Sequence, residues 1–352
     1  MSRLALGLAV AAVTSAVAVA PAAATPKPKT TTYAVIGDTP YGASMIAAWP
    51  SHIADLNADP AVSLVMHLGD IKNGSSRCDT TYFEAIRASF DTFEDPLVYT
   101  PGDNEWTDCH RANNGGYQPA GPVVPGAPIV TAGPSRLDEV RRIFYPTPGR
   151  TLGQHPRAVQ SQRAPFVENT RWQDAGVTFA ELNVTGSNND LAPWFGAAQT
   201  DALKKIQADE VAQRSAANLR WLDETFLQAF LTNARGVSIG IQADMWDPAI
   251  IGDPAGYSGF TSFVNRLAFW SKVYGRPVLL LNGDSHLYEA DRPLVDKAAA
   301  NNTIYGVNYS VPNLTRVTVD GSADANDYLR LTIDPKSDDV FSYERVPYKV
   351  AG

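Results

Sequence analysis

Four apolar runs in this chain end in the same dipeptide. TYAVIGD (residues 32–38), SLVMHLGD (63–70), PLVYTPGD (96–103) and RPVLLLNGD (276–284) each read as a strand closed by Gly-Asp. Unbroken apolar runs of this length mark strands buried on both faces, as in a parallel sheet covered by helices. The first three are separated by helix-length stretches, residues 45–56 and 80–93, which suit β-α-β crossovers. In an open α/β sheet the carboxyl ends of parallel strands line one crevice. Topology alone would then bring Asp38, Asp70, Asp103 and Asp284 to one edge.

Other segments follow the same grammar. VTFAELNV (177–184) and RGVSIGIQAD (235–244) read as further buried strands, with a helix over residues 260–274. Residues 201–234 carry the strongest helical pattern, in apolar stripes (Leu203, Ile206, Leu222, Phe226) that imply one break. In the tail, TRVTVD, DYLRLTID and VFSYERV alternate at period two, the pattern of antiparallel strands completing a sheet. Residues 111–164 are rich in Pro and Gly, with only SRLDEVRRIFY (135–145) helical in pattern, and read as a functional lid within a single domain spanning residues 32–346.

The apolar and charged fractions, 44% and 19%, are those of a soluble globular chain. A formal charge of −8 leaves no basic surplus for a phosphate backbone or an anionic membrane, so neither nucleic acid nor membrane is an expected partner. Arg3, the apolar run from Leu4 to Ala20 and Ala22-Ala23-Ala24 form the pattern of a secretory signal cleaved near Ala24, which leaves residues 25–31 as an extended start and the protein secreted. The two cysteines, Cys78 and Cys109, are expected to pair in an exported chain, closing a loop worth roughly 3–4 kcal/mol.

The polar residues at strand ends are Asp38, Asp70, Asp103, Asn104, Gln242, Asp284 and His286. Four carboxylates in one crevice would raise one another's pKa and oppose folding unless divalent cations offset the repulsion. The stretches GDTPY, HLGD, PGDNEW, GIQADMW and NGDSHLYEAD, in that order, resemble the motif series of the calcineurin-like metallophosphoesterases, which include the purple acid phosphatases. The resemblance runs from about Tyr33 to Ala290 and includes NLRWLDETF. It implies an α/β fold, a four-layer α/β/β/α sandwich of two mixed sheets flanked by helices.

By that resemblance Asp38 and His286 belong to a first metal site and Asp70 bridges two metals. The departures are Pro40, Gln242 (or, less favoured, Asp244) and Asp284, each standing where the family has His. In the third motif Asp103 takes the asparagine ligand's place and Asn104 the catalytic histidine's, or, with a one-residue slip, Asn104 is itself the ligand. A second site of Asp70, Asp103, Gln242 and Asp284 is all oxygen, which suits two divalent ions of Mg, Mn or Ca better than Zn or Fe. Lys72, Arg77 and Arg111 are candidate phosphate binders, and His110 is a candidate acid weighed against its reading as a loop histidine in water. The activity implied is hydrolysis of a small phosphate mono- or diester by metal-bound hydroxide. The alternative is a catalytically silent relative that binds calcium or another ligand.

Overall fold

The computed structural model describes residues 29–121, 135–322 and 325–349. The expected signal at residues 1–24, most of the extended start and the middle of the insert lie outside the described residues.

Among the described residues twelve strands build two sheets: β1 (Thr31–Ile36), β2 (Val62–His67), β3 (Leu97–Tyr99), β4 (Gln160–Ser161), β5 (Thr170–Asp174), β6 (Val177–Glu181), β7 (Gly236–Gly240), β8 (Val278–Asn282), β9 (Glu289–Asp291), β10 (Leu314–Thr318), β11 (Asp327–Ile333) and β12 (Phe341–Pro347). The first sheet runs β12-β11-β1-β2-β3 and the second β4-β5-β6-β7-β8-β10-β9. Both are mixed. β1, β2 and β3 are parallel, as are β6, β7, β8 and β10, while β11, β12, β5 and β9 pair antiparallel at the flanks.

The apolar runs have a simple cause. On β1, Tyr33 and Val35 meet Phe179, Leu279 and Leu281 between the sheets. Ala34 and Ile36 face the other way, against Trp49, Ile53, Phe83 and Phe90 of the helices Gly42–Asn57 and Thr80–Phe90. The second sheet repeats this with Leu280 and Ile239 against Leu222, Phe226, Val264 and Leu267 of the helices Asp201–Leu231 and Thr261–Tyr274. Every inner strand is therefore buried twice, once by the opposing sheet and once by helices. This is the four-layer α/β/β/α arrangement expected.

Three expectations need correction. The helix Asp201–Leu231 is continuous. Its pattern reads as broken because Gln207, Glu210, Arg214 and Asn218 are buried and polar there, engaging neighbouring loops through hydrogen bonds. The tail does not complete one sheet: β10 joins the second, parallel to β8, while β11 and β12 join the first. Alternation at period two tells which face a strand buries and not which neighbour it takes. β4, β5 and β9 were not expected; short edge strands with little apolar run leave a weak signal. Cys78 and Cys109 are paired, with Cα atoms 5.7 Å apart, tying the segment after β2 to the one after β3. No helix among the described residues is long and apolar enough to cross a membrane.

Glu181, the last residue of β6, has both carboxyl oxygens buried without a partner. Burial holds its pKa well above the usual carboxylate range. Its folded form keeps a proton that the unfolded chain releases above about pH 4.3, so stability falls as pH rises past that point. Glu181→Gln is expected to melt at the wild-type temperature near pH 4 but above it near pH 8, as read by thermal unfolding. Equal melting at both would mean the carboxyl has a charge partner.

Candidate metal centre

Asp38, Asp70, Asp103 and Asp284 each lie two to four residues beyond the end of β1, β2, β3 and β8, so parallel topology delivers them to one edge. Asp38, Asp70 and Asp284 hold left-handed φ of 51°, 57° and 75°, and His286 one of 64°. Such conformations are uncommon outside glycine and collect at functional sites. Glycines clear the space around them: a Cβ on Gly102 would strike Asp70 Oδ1, and one on Gly283 would strike Asp38 Oδ2.

Asp70, Asp103 and Asp284 present oxygens that all lie within 4.8 Å of one another. Both Asp38 oxygens accept the Asp284 N–H at 3.1 Å, and His286 Nε2 stands 3.4 Å from Asp38 Oδ1. Burial first, and then the neighbouring carboxylates, push Asp70 and Asp284 well above the usual carboxylate range. Burial also raises Asp103, against donation from the Ser187 hydroxyl. For His286, burial lowers the pKa but the Asp38 carboxylate outweighs it, so the net shift is upward.

Neutral donors quench part of this charge. Asn104 Nδ2 donates to Asp70 Oδ2 at 2.6 Å and the Tyr41 hydroxyl to the same atom at 2.9 Å. Gln242 Nε2 reaches Asp70 Oδ2 and Asp103 Oδ1, both at 3.2 Å, while Gln242 Oε1 accepts the Gly186 N–H at 2.5 Å. The amides of Asn104 and Gln242 thus turn nitrogen, not oxygen, toward the acceptor-only carboxylates. The Asp244 carboxylate is held by Arg316 at 2.5 Å and by the Ser285 hydroxyl at 2.8 Å, and its N–H donates to Asp284 Oδ2 at 3.2 Å.

Two buried side chains tie the motif loops together. His67 Nε2 bonds the Thr39 carbonyl at 3.0 Å and its Nδ1 accepts the Gly69 N–H at 3.3 Å. Burial lowers its pKa to about 4, so it is neutral. Glu105 Oε1 accepts from the Asp70 N–H, the Gly102 N–H and the Tyr99 hydroxyl. Both residues support the site from beneath.

The expected phosphate binders are placed differently from one another. Lys72 is 1% exposed, and its ammonium donates to the Asn73 carbonyl at 2.9 Å. Burial lowers its pKa, opposed by the charges of Glu105 and Asp70. Arg77 is on the surface, paired with Asp79 at 3.0 Å. Arg111 pairs with Asp108 at 2.7 Å. His110 is half-buried, its Nδ1 accepting the Phe195 N–H at 3.0 Å, and burial together with Arg111 brings its pKa to about 4. It bonds none of the four aspartates.

Sequence reasoning missed Tyr41, Gly186 and Ser187. The signal for the last two was the polar stretch TGSNND directly after a buried strand. Ser187 Oγ lies 2.8 Å from Asp103 Oδ2 and 2.9 Å from Asp108 Oδ1. Ser187, Asn188, Asn189 and Asp190 hold φ of 50°, 56°, 53° and 67°, a run of left-handed residues costing roughly 1–2 kcal/mol each. A Cβ on Gly186 would sit 2.8 Å from Asp103 Oδ2 and 2.9 Å from Asp284 Oδ1. Glycine therefore keeps open a cradle between two carboxylates, and the oxygen donors around it fit a hard divalent cation.

No protein-family model and no curated protein matches the sequence. Similar solved structures include TT1561 of Thermus thermophilus, at 10% identity over 91% of this chain and 100% of that one, with a TM-score of 0.42. GAP50, the anchor in the inner membrane complex of Plasmodium, overlaps at 9% identity over 91% and 89%, TM-score 0.41. The NAD nucleotidase NadN of Haemophilus influenzae overlaps at 12% identity over 91% of this chain but only 56% of its own, TM-score 0.41. Overlaps this loose say nothing about what the chain does.

Gly186→Ala, which fills the cradle, is expected to weaken Mn²⁺ binding at least ~10-fold by calorimetric titration while the protein still folds. Asp103→Asn removes one repelling charge and should melt higher than wild type in a chelator yet gain less from Mn²⁺. Wild-type ion response in both variants would rule out this group as the cation site.

Proposed function

We propose that the protein is a secreted metal-dependent phosphoesterase that hydrolyses phosphate mono- or diesters at this acidic centre. The observation that carries the reading is the meeting of Asp38, Asp70, Asp103 and Asp284 at one edge of a four-layer sandwich, with His286 beside Asp38. Export is supported by the Cys78–Cys109 bridge. Asp70, Asp103 and Asp284 would hold one divalent cation, with the amide of Gln242 or Asn104 turned to offer oxygen, and Asp38 with His286 a second. Bound ions would supply charge neutralisation and an activated water.

The chain's own residues do the rest. Asp70, fixed by Tyr41, Asn104 and its own backbone bond to Glu105, keeps the two halves of the site in register. Arg111 is the cation best placed to meet an incoming anion, by exchanging Asp108 for phosphate. No proton-transfer step is assigned to His110, which bonds the Phe195 N–H and none of the four aspartates. Esters with good leaving groups, which need no acid, are the expected substrates.

One observation favours the second reading, a protein that binds cations without turnover: His110, the candidate acid, bonds the Phe195 N–H and none of the four aspartates. Turnover of 4-nitrophenyl phosphate and bis(4-nitrophenyl) phosphate with Mg²⁺, Mn²⁺, Ca²⁺ and Zn²⁺ decides between them. Catalysis that falls at least ~100-fold in Asp70→Asn supports the enzyme. Ion-dependent stabilisation with no turnover under any metal leaves the binder.

A further inference from the structure

The left-handed segment from Ser187 to Asp190, preceded by Gly186, is fastened from several sides. Arg214, fully buried in the long helix, donates to Asn189 Oδ1 at 2.5 Å and to the Asn189 carbonyl at 3.0 Å, and is itself held by Glu210 at 2.6 Å. Asn188 Nδ2 donates to the Ala255 carbonyl at 2.7 Å, and Asn188 Oδ1 accepts the Gly259 N–H at 2.7 Å. Trp194 Nε1 donates to Asp190 Oδ1 at 2.7 Å. These bonds hold the backbone of the strap without the Ser187 side chain.

Ser187 is different. Its side-chain partners among the described residues are Asp103 and Asp108 alone. One hydroxyl proton serves two carboxylates, so Ser187 links them and fixes the direction in which Asp103 points. Asp103 has its other oxygen bonded by Gln242, and Gln242 is in turn held by the Gly186 N–H of the same strap. The strap thus sets two side chains of the acidic group at once.

We propose that Ser187 is a positioning residue for cation binding: its hydroxyl, presented on a strap locked by Arg214, holds the Asp103 carboxylate in the orientation a divalent ion needs. The inference rests on the metal-dependent reading of the centre. It assigns the strained backbone a task, since only the left-handed turn directs Ser187 Oγ onto both carboxylates while Gly186 leaves the cradle open. Groups that orient a ligand without touching the ion commonly govern affinity by 10–100-fold.

The test uses the full chain, with Mn²⁺ affinity from calorimetric titration and melting in a chelator as separate readouts. Ser187→Ala removes the hydroxyl; Ser187→Gly removes it and also relieves the left-handed conformation, so the variant folds. Both are expected to lose ~10-fold or more in Mn²⁺ affinity while chelator melting stays within ~3 °C of wild type. Unchanged affinity overturns the assignment, as does affinity that falls only in step with melting, which is what a purely structural residue would do. A wild-type protein that binds none of Mn²⁺, Mg²⁺ and Ca²⁺ overturns both this assignment and the phosphoesterase reading, whereas wild-type binding with unaffected variants overturns this assignment alone.

Discussion

Asp70, Asp103 and Asp284 bring oxygens within 4.8 Å of one another, the first two buried and the third partly open, and the resulting repulsion is the term against which the surrounding loops are built. Each carboxylate ends a strand, or nearly so, and each strand is locked between a sheet and a helix layer. The acids cannot relax apart without unpacking a core that contains Tyr33, Val35, Leu279 and Leu281. Close packing therefore converts an unfavourable charge arrangement into a persistent one.

Support comes mostly from uncharged donors. His67, neutral because it is buried, joins the loops after β1 and β2, and the amides of Asn104 and Gln242 cover Asp70 and Asp103. Lys72 is buried with its Nζ on the Asn73 carbonyl, while Arg111 pairs with Asp108. Neutral donors reduce repulsion without cancelling charge, and this leaves the group able to take a cation.

The donor chemistry narrows what such a cation and its substrate would be. Its donors are carboxylates with amides beside them, a set that suits a hard divalent cation; on the proposed reading, four carboxylates would offset two such ions and leave little surplus positive charge for a phosphate. Recognition of an anion would then depend on Arg111 and on backbone donors. On that reading the side chains that orient the acids, Ser187 among them, would govern cation affinity alongside the ligands themselves.

Much of this was legible in the sequence. Unbroken apolar runs ending in Gly-Asp determined that the strands would be buried on both faces and that Asp38, Asp70, Asp103 and Asp284 would share an edge, because parallel topology has no other outcome. The two cysteines determined their own pairing for want of other partners. Tertiary structure alone decided the rest. Lys72 turned inward, His110 was claimed by the Phe195 N–H, and β10 went to β8, since a one-dimensional pattern records burial but not neighbours. Ser187 and Gly186 left only the polar stretch TGSNND after a buried strand as a mark: a Ser or a Gly in a polar loop has no periodicity, and its meaning comes from carboxylates more than eighty residues away in sequence that only the folded chain brings beside it.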